Sequence, residues 1–233
     1  SEKLPLEANI HPNKVRSNMW HFADLDADGR QDLVVGVCDW TDYGWDNAYD
    51  ENGYWTNELI HGLVYFVKNS GTNEKPVYEK PRLLNAANTP IEQFGMPSPC
   101  LADYDNDGDQ DLICGEFIDG FTYYENTGTK QKPVFARGQR LMHEGKFLHM
   151  DLEMITPTPV DWDGDGDVDL IVGDVDGRVA LVENTGKFDA RKVPAYLPPV
   201  YFQQEAEDLK CGALATPVGI DWDGDGDDDI VSG

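Results

Sequence analysis

The stretch Asp161-Trp-Asp-Gly-Asp-Gly-Asp-Val-Asp169 puts a carboxylate at every odd position and runs straight into Leu-Ile-Val-Gly173. The pattern recurs without gaps at Asp24-Leu-Asp-Ala-Asp-Gly-Arg-Gln-Asp32, Asp103-Tyr-Asp-Asn-Asp-Gly-Asp-Gln-Asp111 and Asp221-Trp-Asp-Gly-Asp-Gly-Asp-Asp-Asp229. Each copy is followed by an apolar run ending in glycine: LVVG, LICG and IVSG. The first aspartates of the four copies stand 79, 58 and 60 residues apart. A repeating unit of about 60 residues fits, with an insertion of about 20 in the first.

The remainder of the unit repeats as well. A second apolar run ends in an Asn-x-Gly turn at Asn69, Asn126 and Asn184. Pro76-Val-Tyr78 and Pro133-Val-Phe135 follow two of these turns, and Pro199-Val-Tyr201 is a looser third version. A short extended segment such as Thr156-Pro-Thr-Pro-Val160 precedes each aspartate cluster. The pattern predicts four short strands per unit, bounded by Gly, Pro, Asn and Asp, with no helical periodicity. One four-stranded sheet per repeat is a propeller blade, so the expected fold is an all-β β-propeller. The expected blades are residues 17–96 with an insertion at 39–61, then 97–154, 155–213, and the start of another at 214–233. Residues 1–16 form an N-terminal segment that could donate a ring-closing strand. Because the fourth unit stops after its second strand, these blades are expected to belong to a ring of about six to eight.

Calcium is a hard cation that takes about six to eight oxygen ligands. Aspartates at positions 1, 3 and 5 of a tight loop can turn their carboxylates to a common centre, and the glycine at position 6 allows the sharp reversal. The first three positions are Asp24, Asp26 and Asp28; Asp103, Asp105 and Asp107; Asp161, Asp163 and Asp165; and Asp221, Asp223 and Asp225. Position 7 would offer a backbone carbonyl, from Arg30, Asp109, Asp167 or Asp227, and position 9 a closing carboxylate, from Asp32, Asp111, Asp169 or Asp229. An EF-hand opens with the same spacing but needs a glutamate at position 12 and flanking helices. Position 12 here is Val35, Cys114, Val172 and Ser232, which excludes it. Four equivalent sites point to calcium as a structural ion, coupled to the stability of each blade.

The pattern DxDxDGxxDLxxG, followed by an aromatic strand and ENTGT, resembles the FG-GAP/VCBS repeat family of calcium-binding β-propellers. The resemblance covers nearly the whole chain beyond the first residues and the insertions. It implies the propeller fold and calcium. Such propellers occur in adhesins, carbohydrate-binding modules and some polysaccharide lyases and glycosidases, so activity does not follow from the fold.

The chain has 233 residues, a 40% hydrophobic fraction and a formal net charge of −26. It is therefore globular, and its acidity disfavours nucleic acid and anionic lipid as partners. No apolar run is long enough to insert in a membrane. Millimolar calcium outside cells suits such loops, so a secreted, periplasmic or cell-surface location is expected. Cys38, Cys100, Cys114 and Cys211 show no metal-type spacing; Cys114 reads as a small core residue, and a disulfide among the others stays open.

If strands alternate in direction, the calcium loops and Asn turns share one face. The insertion and the blade-to-blade connections then share the other, where binding is expected. The insertion carries Trp40, Tyr43, Trp45, Tyr49, Tyr54 and Trp55 among acids and amides, a composition that suits a polysaccharide or other glycan. Rings closing a small core under the loop are the alternative, and a protein partner is a third option. The catalytic candidates on that face are His61, His143, His149 and Lys146, with Glu116, Asp174, Glu144 and Arg140 beside them. A polysaccharide lyase would need such a base and a cation, but their spacing forms no diagnostic constellation.

Overall fold

In the computed structural model, which describes residues 15–43, 48–204, 207–226 and 228–233, the described regular elements are all β-strands. The first sheet consists of Val15–Ala23, Asp32–Asp39, His61–Val67 and Arg82–Leu83, with Glu92–Phe94 paired beside the third strand. The second consists of Ser98–Ala102, Asp111–Gly115, Phe121–Tyr124 and Gln139–Arg140. Thr156–Val160, Asp169–Gly173, Val179–Val182 and Val200–Tyr201 make the third, and Val218–Ile220 with Asp229–Val231 begin a fourth. Every pairing in these sheets is antiparallel.

The expected four strands per unit are thus present in three units. The second strand of the first sheet runs on to Asp39 and the third starts at His61, so the insertion occupies 40–60 rather than 39–61. The first strand begins at Val15, inside the segment assigned to the N-terminal extension; residues 1–14 lie outside the described part.

The apolar runs of the second and third sheets are buried on both sides because the sheets stack face to face. Leu112 and Cys114 pack toward the first sheet with Val34, Val64 and Phe66. Ile113, one residue along, packs toward the third with Leu170, Val172 and Val182. Ile171 in turn joins Val160, Val179 and the partly buried Ile230 of the fourth sheet. A strand alternates its side chains between faces, so a strand covered on both faces must be continuously apolar.

The glycine that ends each of the first three runs has a spatial reason. A Cβ on Gly36 would lie 1.8 Å from the Pro97 carbonyl oxygen and 2.8 Å from Pro99 Cδ. On Gly115 it would meet Pro157 Cδ at 2.6 Å, and on Gly173 the Ala215 oxygen at 2.1 Å and Pro217 Cδ at 2.8 Å. Each second strand therefore touches the backbone that enters the next sheet. Thr156 and Thr158 reinforce the junction, donating to the carbonyls of Ala215 and Pro217 at 2.6 and 2.7 Å. First strands of all four sheets meet around one cavity of about 290 Å³, lined by Trp20, Pro99, Pro157 and Pro217 among others.

At the end of the sheets away from the aspartate loops, each inter-sheet connection is tied to the turn before it. Met154 donates to the Phe117 carbonyl at 2.7 Å and Leu214 to that of Val175 at 3.0 Å. Cys38, Cys100 and Cys114 are buried and Cys211 is partly so.

Candidate metal centre

Pairing register builds the aspartate loops. Ala23 pairs with Asp32, Ala102 with Asp111, Val160 with Asp169, and Ile220 with Asp229. Position 9 therefore opens the second strand opposite the residue just before position 1, and the loop must reverse between them. Gly29, Gly108, Gly166 and Gly226 do so at φ of 85°, 95°, 92° and 99°. A Cβ on Gly29, Gly166 or Gly226 would meet nothing within 4 Å, so the left-handed backbone, not space, calls for glycine. Position 4 is left-handed too, with Ala27 at 50°, Asn106 at 59°, Gly164 at 73° and Gly224 at 79°, and three of these four are Gly or Asn, the residues that tolerate it best.

Position 1 holds the turn from inside. Asp24 accepts the N–H groups of Asp28 and Gly29 at 2.9 and 2.8 Å, and Asp103 those of Asp107 and Gly108 at 3.0 and 2.8 Å. Position 5 accepts the N–H of position 7: Arg30 on Asp28 at 3.1 Å, Asp109 on Asp107 at 3.0 Å, Asp167 on Asp165 at 2.8 Å.

Positions 1, 3 and 9 converge. Asp24, Asp26 and Asp32 each offer an oxygen within 4.8 Å of the others, as do Asp103, Asp105 and Asp111, and Asp161, Asp163 and Asp169. In the fourth loop Asp221, Asp223 and Asp225 converge, all exposed; Asp227 lies outside the described residues. Position 5 is thus a turn cap in the first three loops and a member of the cluster only in the fourth. Position 7 also differs by loop: the Arg30 guanidinium pairs with Asp28, whereas Asp167 accepts from the Asn106 amide at 2.7 Å.

The position-9 carboxylates of the first three loops are buried, and burial is the main reason that Asp32 and Asp169 are pushed up to about 6 and Asp111 to about 7. Neighbouring loop aspartates push in the same direction. Asp26 Oδ1 and Asp32 Oδ2 are buried without a hydrogen-bond partner. Converging hard oxygens, some unsatisfied and all mutually repulsive, fit a divalent cation.

The Asn-x-Gly motif belongs to this centre. Asn69, Asn126 and Asn184 are buried, and each donates its N–H to the position-9 carboxylate at 2.7 Å. The Asn126 side-chain oxygen then accepts Gly128 and Val134 N–H at 3.0 and 2.9 Å. Asn69 does the same for Gly71 and Val77 at 2.9 and 3.0 Å. These contacts place the loops and turns at one end of the sheets. Asn126→Ala orphans two N–H groups, so urea denaturation in calcium is expected to show a loss of about 3 kcal/mol.

At the other end, the aromatic residues stack on one another. Tyr43 stacks on Trp55 with centroids 4.4 Å apart, and Trp40 meets Tyr43 edge-on at 5.0 Å, as Tyr49 does Trp55 at 5.2 Å. Trp40 and Tyr43 also pack on buried Cys38, Ile60 and Met96. Tyr49 and Tyr54 remain open, at 59% and 72% exposure. Trp45 lies outside the described residues.

The catalytic candidates stay apart. His61 pairs with Glu92, which raises its pKa, and lies 3.7 Å from Asp42. His149 lies 3.8 Å from Asp119, and His143 Nδ1 is 3.1 Å from the Tyr196 carbonyl oxygen. His143 and Lys146 are cross-strand partners in a two-residue-stranded hairpin, far from His61 in the sheet order. Glu144 sits in the turn of that hairpin at φ 48°. Glu116 is held by Arg140 at 3.2 Å and Thr122 at 2.7 Å; Asp174 is held by Arg178 at 2.9 Å. Among the described residues no hydrogen bond or ion pair joins the side chains of any two of the four principal candidates.

Residues 161–232 match the FG-GAP-like repeat, a span that takes in the third and fourth aspartate loops and the strands between them. This supports the resemblance carried by the four loops. No curated protein matches the chain. Among the described residues no helix is long and apolar enough to cross a membrane.

Proposed function

We propose that the chain is part of an extracellular β-propeller whose aspartate loops hold structural calcium and whose opposite end binds carbohydrate without cleaving it. The observation that carries the calcium reading is the convergence of positions 1, 3 and 9 in three successive loops, each closed by a buried aspartate. The propeller reading is supported by first strands that succeed one another around a common cavity. Asp24, Asp26 and Asp32, with their counterparts in the other loops, would hold the ion, which supplies charge neutralisation and cross-links the loop. The scattered histidines favour binding over catalysis, since a base and a cation have to meet at one substrate.

Tyr49 and Tyr54 present their rings to solvent beside the Tyr43–Trp55 stack, a rigid base for the apolar face of a sugar ring. Their neighbours Asp50 and Asn52 supply hydroxyl partners. A glycan array is expected to give hits that fall at least tenfold in Tyr54→Ala and in Trp55→Ala, with calcium-dependent melting unchanged. Cleaved polysaccharide would replace this reading with a lyase or hydrolase. Glycan binding intact in both variants would overturn the assignment to these rings, and retention of a protein with no glycan bound would point to an adhesin-type scaffold.

A further inference from the structure

The first loop differs from the second and third in the charges that face it. Lys68 Nζ pairs with Asp26 and, at 2.7 Å, with Asp28. Arg30 pairs with Asp28 and reaches the Asn69 carbonyl oxygen at 2.9 Å. Lys68 stands immediately before Asn69; the residues immediately before Asn126 and Asn184 are Glu125 and Glu183. Arg30 likewise occupies the position filled by Asp109 and Asp167. The first loop therefore sets four carboxylates, Asp24, Asp26, Asp28 and Asp32, against two cations. The third sets Asp161, Asp163, Asp165, Asp167 and Asp169 with Glu183 against none in its own loop or in the residue before its turn. In the second, Lys130 comes near Gly108 but, among the described residues, forms no ion pair with the five aspartates or Glu125.

Both cations are part of the folded arrangement, with side chains only 25% and 35% exposed. A divalent ion entering the first loop would meet an ammonium already bonded to the position-3 carboxylate. Asp26 Oδ1 and Asp32 Oδ2 still lack partners, so the inner side of the loop keeps its capacity for an ion. Resting on the calcium reading above, we propose that Lys68, assisted by Arg30, sets the first loop's affinity below that of the second and third, so that it fills after them. Cation–cation repulsion at this range in a partly buried loop corresponds to about tenfold or more in affinity. The chain then contains a graded pair of ion classes: the second and third loops hold calcium persistently, while the first reports its concentration.

Isothermal titration of the whole chain with calcium at fixed ionic strength tests this. Asp105→Ala and Asp163→Ala are each expected to remove a tight step, and Asp26→Ala a weaker one. Lys68→Glu, which copies the second and third units, is expected to tighten that weaker step at least tenfold, and Lys68→Gln to tighten it less. The proposal is overturned if Asp26→Ala removes a step as tight as the other two, or if neither Lys68 variant moves the weaker step. A chain that takes up no calcium at millimolar concentration would instead overturn the calcium reading itself.

Discussion

Removing divalent ions with a chelator at about pH 8 is expected to lower the melting temperature by about 10 °C or more, and most of that loss should return at about pH 5. Without an ion, burial and mutual repulsion hold Asp32, Asp111 and Asp169 up to about 6, 7 and 6. In the unfolded chain the same groups ionise near 4. Between those values the folded state binds more protons than the unfolded one, so metal-free stability falls as pH rises from about 4 to about 7. Each tenfold difference in proton affinity between folded and unfolded chain corresponds to about 1.4 kcal/mol, so three groups amount to several kcal/mol. For a chain of this size that is on the order of 10 °C.

With calcium bound the slope reverses. The ion favours the ionised carboxylates, protons compete with it, and stability then falls as pH drops through the same window. Scanning calorimetry at several pH values, with and without calcium, reads both slopes. A chelated protein that is as stable at about pH 8 as at about pH 5 would contradict the assignment. Asp111→Asn gives a second reading: it should weaken calcium-dependent stabilisation while leaving the metal-free protein less sensitive to pH.

Gly173→Ala is expected to destabilise the chain by about 3 kcal/mol or more, measured by urea denaturation in saturating calcium. The added methyl would sit 2.1 Å from the Ala215 carbonyl oxygen, a backbone atom that cannot rotate away. Relief requires the third and fourth sheets to separate, which loosens the packing of Val160, Ile171 and Val179 against Ala215 and Ile230. Overpacking of this kind costs about 1–3 kcal/mol where side chains yield, and more where backbone must move. Gly224→Ala is the control. Its Cβ would meet nothing within 4 Å, leaving only the strain of a φ of 79°. That strain is on the order of 1 kcal/mol.

Much of the ion centre was legible because its determinants are local. Alternate carboxylates and a glycine at position 6 specify a turn within nine residues, and the apolar run specifies the strand after it. The partners of that turn were not legible. Asn69 reads as an ordinary turn residue, yet it is buried against Asp32, 37 residues earlier in the chain. A signal was present in its recurrence before each Gly at Asn126 and Asn184, but recurrence alone does not say which loop the asparagine touches. The aromatic insertion shows the same limit. Composition placed six rings together, and only packing separated those that stack inward, Trp40, Tyr43 and Trp55, from those left open, Tyr49 and Tyr54.

By itself the sequence determined the repeat, the all-β class, the four-stranded unit and the identity of the aspartate loops. Those follow from short-range backbone preference and from the alternation of side chains along a strand, which need no knowledge of distant residues. The tertiary structure alone decided which oxygens converge, why Gly36, Gly115 and Gly173 must be glycine, and that Lys68 leans on Asp26 across 42 residues of chain. Those contacts join segments that are remote in sequence, and they exist only once the sheets have stacked.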